Sequence, residues 1–230
     1  MNGPVLYHES AHAYLATLHG IRIEDVVVGE REGYCLCPKN DRTNPHSDEF
    51  IQISLAGVAA CSHSTVSLIK EVTRVVKSNE SGLNSGQDLS DAYWAINSRF
   101  QEVIGMDPQH EQITFVQIEA ARALYEFLHE KEQREALWGT MSVVCNCLTS
   151  LNVGFFLKKG FHKILPHLVH VAPPELLLGA SRKVRYCSAE RKREFALALQ
   201  QRLADVIDIA KTRKELSERV NIPAIISRFA

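Results

Sequence analysis

The chain has 230 residues, 45% apolar and 23% charged, with six cysteines and a formal net charge of −1. That composition excludes a wholly disordered chain, a collagen-like fibre and a disulfide scaffold, and the length, against ~150 residues for a typical domain, suffices for one or two cored domains. The near-zero net charge gives no sign of a nucleic-acid partner, but the charge is unevenly spread: residues 1–150 carry 11 basic and 20 acidic side chains, residues 151–230 carry 15 and 7.

Pro4 to Leu18 reads as the first helix, with Asn2 and Gly3 where a cap belongs, Pro4 in the first turn and Gly20 as the stop. The β-branched run from Ile23 to Val28 and the segment Tyr34 to Cys37 read as two short strands joined by a charged turn. Asn40 to Ser47 is turn-rich and predicts an exposed loop. Glu49 to Ser62 predicts a second helix whose Ala56, Gly57, Ala59 and Ala60 let a neighbour approach closely, and Thr65 to Lys77 extends it or forms its own. After a loop at Asn79 to Gly86, helices are expected at about Gln87 to Ile104 (ending at Gly105), Glu111 to Lys131 and Arg134 to Leu148. Beyond Gly154, Lys158, Pro166, Pro173 and Pro174 predict an irregular connector, followed by one long charged helix from Ser188 to Val220. The expected organisation is therefore residues 1–150 as one domain and a basic, mostly helical extension over 151–230.

No cationic, apolar leader is evident. The longest apolar stretch, Met141 to Leu157, is interrupted by Ser142, Asn146, Thr149, Ser150 and Asn152, too polar and too short for a transmembrane span. Six cysteines without an export signal are expected to be free thiols in a reducing, cytoplasmic compartment. Cys35 and Cys37 share a strand face, Cys145 and Cys147 point apart on a helix, and neither pair has the two-residue spacer of common zinc knuckles, so all four read as plain thiols.

Chemistry is concentrated in His8-Glu9-Ser10-Ala11-His12, an H-E-x-x-H motif on the first helix. Residues four apart lie about 40° apart around a helix, so both imidazoles can face one ion. Two neutral imidazoles suit Zn²⁺, and Glu9 beside them is placed to take a proton from activated water instead of binding the metal. A catalytic zinc needs a third protein ligand. Positions 15 and 18 are leucines, so it must come from elsewhere. Asp88 opens the third long helix on a stripe with Ala92, Ile96, Phe100 and Val103, whereas Asp91 aligns with Ser98 and Glu102. A carboxylate on an apolar stripe calls for a cation or donors; the alternative is that Asp88 only caps its helix. Glu71, Glu80 and Glu111 stand in reserve. The other histidines, at 19, 46, 63, 110, 129, 162, 167 and 170, have no spacing that competes.

Tyr7-His-Glu-Ser-Ala-His-Ala resembles the Y-H-E-A-G-H-A opening of the peptidase domain of the FtsH family, the AAA+ zinc metalloproteases. In the same order, Leu55-Ala-Gly-Val-Ala-Ala resembles the family's small-residue helix, and Ser85-Gly-Gln-Asp-Leu with Ala92 resembles T-G-A-x-N-D-L-x-x-A, whose aspartate is the third zinc ligand. Ile104-Gly-Met resembles Y-G-M, and Ala120, Ala121, Leu124 and Leu137 resemble the closing helical pair. The resemblance covers residues 4 to about 150. It implies zinc on His8, His12 and Asp88, with Glu9 as general base. Departures are Ser10-Ala11 for Ala-Gly, which predicts a looser helix contact, a shorter third-ligand loop, and Cys61 where the family usually has Glu. The sequence contains no G-x-x-x-x-G-K-[ST] phosphate loop, so no ATP is expected to bind this chain.

The resulting expectation is a mainly α, zincin-like helical peptidase domain with a small β element next to the H-E-x-x-H helix. It would be a zinc-dependent, ATP-independent metallopeptidase acting on peptides or unfolded protein, as a homo-oligomer or beside a separate ATPase. The alternative is a catalytically idle zinc-binding module whose basic C-terminal helix contacts a partner protein or nucleic acid. The clusters Arg182-Lys-Val-Arg and Arg191-Lys-Arg fit that reading, but with only Tyr186 and Phe195 nearby they read better as a solvated helix face.

Overall fold

The computed structural model of the chain describes residues 2–28, 33–37, 47–78, 84–150 and 189–230. The charged turn between the strands, nearly all of the Asn40–Ser47 loop, the 79–83 part of the next loop and the connector with Lys158, Pro166, Pro173 and the Arg182–Arg185 cluster lie outside the described residues. The described chain is mainly helical. Its elements are α1 (Asn2–His19), β1 (Asp25–Val28), β2 (Gly33–Leu36), α2 (Asp48–Cys61), α3 (Thr65–Ser78), α4 (Asn84–Ile104), α5 (His110–Leu128), α6 (Lys131–Ser150), α7 (Ala189–Val206), α8 (Ile209–Arg219) and α9 (Ile222–Ile226), closed by a 3-10 turn at Ser227–Phe229. They form two compact units, Met1–Pro38 with Lys131–Ile209 and Lys39–Glu130 with Ala210–Ala230. Each unit takes a piece from the front and a piece from the back of the chain, so the change of charge near residue 150 is not an edge of either.

In the first unit α1 packs against α6, α7 and both strands, and α7 packs on α6. Leu6, Ala11, Ala13, Tyr14, Leu15, Ala16 and Leu18 are fully buried, so α1 is enclosed on nearly every side. Its alanines keep the helix thin enough for such close neighbours. Gly20 ends it at φ 70°, a left-handed conformation that costs glycine little. The Gly20 N–H donates to the Thr17 carbonyl at 3.0 Å and the Ile21 N–H to the Ala16 carbonyl at 2.8 Å. This is the Schellman arrangement, which satisfies two of the orphan carbonyls at a helix end. Tyr14 donates its hydroxyl to Gln133 Oε1 on α6 at 2.7 Å, a buried bond between two helices. The strands pair antiparallel, with Val26 opposite Cys35 and Val28 opposite Gly33.

In the second unit α2 is the central helix, with α4 and α5 packed on it. Every residue from Ile51 to Ala60 is buried. Ser47 caps it by accepting from the Phe50 N–H at 3.2 Å, and Asp48 and Glu49 sit in its positive first turn. Buried Gln52 donates to the Val220 carbonyl at 3.0 Å, satisfying a carbonyl beyond the end of α8. Gly105, at φ 71°, donates to the Gln101 carbonyl at 3.0 Å and closes α4 with the simpler left-handed cap. α9 packs against α4 and α5, and Phe229 places its ring 5.7 Å from Phe100 and 5.5 Å from Phe115.

One expectation is corrected. The charged run from Ser188 to Val220 is not one helix but two, α7 and α8, interrupted at Ile207 and Asp208. Asp208 stands at the N-cap position of α8, where aspartate competes well with a continuing helix. The break also separates two duties. Ala196, Leu199 and Leu203 of α7 are buried in the first unit, and Leu216, Val220, Ile222 and Ile226 in the second.

Truncating Ile226 should therefore cost core energy. Ile226→Ala removes a fully buried side chain and should destabilise the chain by about 2–5 kcal/mol in urea unfolding. Leu197→Ala, at a position 61% exposed, should stay within about 0.5 kcal/mol. Equal effects would mean that α9 is not part of a core.

Candidate metal centre

The motif helix carries its polar groups into the least exposed part of α1. Glu9 is 2% exposed and His12 5%, while His8 is half-buried. The His8 and His12 rings lie edge to face, with centroids 4.8 Å apart, as residues one turn apart on a helix must. Ser10, where the resemblance sets Ala, is fully buried and donates its hydroxyl to the Leu6 carbonyl at 2.6 Å, so its polar atom is satisfied within the helix. Just before the motif, Tyr7 sets its ring 5.1 Å from Trp138 of α6 and fixes the entry of α1.

His8, His12 and Asp88 offer ligand atoms that all lie within 4.8 Å of one another, a group able to hold a metal ion. Two imidazoles and a carboxylate are donors that a borderline-soft divalent ion such as zinc accepts, so the residues present fit that metal. Asp91 accepts a 2.7 Å hydrogen bond from the exposed Gln87 amide, which supports its expected place on the polar side. Of the reserve ligands, Glu71 pairs with Arg74 at 2.7 Å, Glu111 lies in the first turn of α5, and Glu80 is outside the described residues. His110 pairs with the Tyr93 hydroxyl at 2.8 Å, and His129 stacks on Tyr125 at 3.9 Å. His46, His162, His167 and His170 lie outside the described residues.

One neighbour was not expected from spacing. Cys37, just past β2, has its thiol held below the ordinary value, first by a hydrogen bond from Cys35 and then by the charge of His12, against burial and Glu24, which push it up. The alternation that would put Cys35 and Cys37 on one strand face was visible, but β2 ends at Leu36, before Cys37; the packing of the strands on α1 was not visible. No family model, curated protein or solved structure matches the chain.

The geometry separates the two aspartates of α4. Asp88→Asn should weaken zinc binding at least ~10–100-fold, the range already seen for losing groups that only support ligands. Asp91→Asn should leave it unchanged. Chelator competition on both variants decides, and loss of zinc from Asp91→Asn alone would contradict the assignment.

Proposed function

We propose that the chain is a zinc-dependent, ATP-independent metallopeptidase. The observation that carries the reading is Glu9, a carboxylate 2% exposed and set next to two histidines at metal-binding spacing. A purely structural site has no use for that group and tends to be closed by four protein ligands, often cysteines. The ordered resemblance to the FtsH peptidase, from Tyr7 to Leu137, supports the same activity.

In this reading His8, His12 and Asp88 hold the ion. Zinc bound there supplies Lewis acidity, polarising a carbonyl and bringing water's pKa towards ~7. Glu9 takes the proton from the attacking water and returns it to the leaving amine, a shuttle that burial makes effective by keeping bulk water away from the carboxylate. Enclosure of α1 and its Tyr14–Gln133 bond to α6 fix the orientation of the three motif side chains. The substrate is a peptide or an unfolded segment, because the hairpin is a two-stranded sheet among the described residues and an extended chain can add to its edge, at Val26 to Val28 or Tyr34 to Cys37. Among the described residues no helix is long and apolar enough to cross a membrane.

Glu9→Gln keeps the shape and removes the base. It should lower hydrolysis of an unstructured protein substrate by ~10²–10⁴-fold, followed by mass spectrometry, with zinc content unchanged. Undiminished cleavage, or no cleavage by the zinc-loaded parent protein, would refute the reading.

A further inference from the structure

In the second unit α4 and α5 pack on each other, and a buried amide joins them. Gln117 of α5 is fully buried, and its side-chain nitrogen donates to the Leu89 carbonyl of α4 at 2.7 Å. That bond fixes which end of the amide faces α4, because a carbonyl can only accept. Leu89, itself 1% exposed, directly follows Asp88. Its carbonyl lies inside α4, where the helix already gives it the N–H four residues on, from Tyr93. Gln117 is therefore not needed to satisfy an orphaned backbone group, which is the duty of Gln52 at the Val220 carbonyl. Its other end carries a cost, since Oε1 is buried with no hydrogen-bond partner among the described residues. An apolar side chain of the same length would avoid that cost, so the fold alone does not call for an amide at this position.

We propose that Gln117 is a positioning residue for the metal centre: its bond to the Leu89 carbonyl fixes the start of α4 against α5 and so sets where the Asp88 carboxylate stands. The inference rests on the metal reading above. Metal ligation holds its distances to within ~0.2 Å. Burial of Leu89 keeps the two helices together, but the hydrophobic effect has no preferred direction along or about the α4 axis. A short hydrogen bond does, because it weakens with angle as well as with distance. The bond acts one residue from the ligand, so a slip or turn of α4 that carries Asp88 away must also break it. Gln117 works through the backbone and takes no part in proton transfer.

A double-mutant cycle on the full chain tests this, read as zinc affinity by chelator competition, with urea unfolding beside it. Gln117→Met keeps the length of the side chain and removes the amide. It should weaken zinc binding ~10-fold, the lower end of the range for groups that support ligands, while the metal-free chain unfolds at an equal or higher urea concentration than the parent. The same substitution in an Asp88→Asn chain should change affinity by less than about twofold, because the carboxylate through which Gln117 acts is gone. Ile113→Val, a smaller change at a buried position one turn before Gln117 on α5, should lower the urea midpoint and leave zinc affinity unchanged. Unchanged affinity in Gln117→Met would overturn the proposal. So would an equal loss in the Asp88→Asn background or in Ile113→Val, since either means a general loosening of the packing. A Gln117→Met chain that is destabilised or does not fold would overturn it too, because the amide would then be serving the fold. A parent chain that binds no zinc would overturn the metal reading and the positioning role together.

Discussion

Burial of Glu9 between His8 and His12 is the constraint on which the rest of the site depends. A carboxylate moved out of water costs several kcal/mol unless a cation or hydrogen-bond donors compensate. The chain places it on a helix whose other positions, Leu6, Ala11, Ala13, Leu15, Ala16 and Leu18, are all fully buried apolar groups. That helix has almost no solvated face on which to relax, so its polar groups must find partners inside. Ser10 does so through the Leu6 carbonyl and Tyr14 through Gln133. Under the proposed reading, a dication beside the two imidazoles would add to what holds the Glu9 carboxylate in place.

The two units solve similar packing problems with different means. In the first, small residues on α1 admit α6, α7 and the hairpin at close range. In the second, α2 is enclosed, and a buried amide, Gln52, spares the chain an unpaired carbonyl at Val220. Residues 210–230 are as much a part of that core as the helices before residue 130. Ile222 and Ile226 are fully buried, and Arg219 pairs with Glu130 while Arg228 approaches Glu119 at 3.6 Å.

Much of this was legible in the residues. Gly20 and Gly105 ended helices where positive φ was needed, and the small-residue pattern of α2 announced a helix enclosed by others. The wheel position of Asp88 singled it out against Asp91; both are half-buried, and it is Asp88 whose ligand atom groups with His8 and His12. The break at Ile207 and Asp208 was not legible, since charge and helix propensity continue across it, and Asp208 as an N-cap shows itself only once α7 and α8 serve separate cores. The neighbourhood of Cys37 was hidden for a related reason. Alternation along a strand tells which residues share a face, but the helix that the face meets is decided by packing between segments distant in sequence.

The most direct measurement is anomalous diffraction at the zinc absorption edge from crystals of the purified, zinc-loaded chain. The account predicts one strong peak in contact with the ring nitrogens of His8 and His12 and a carboxylate oxygen of Asp88, with Glu9 adjacent and not bonded to it. A peak ligated elsewhere, or no peak at His8 and His12 in zinc-saturated crystals, would contradict it.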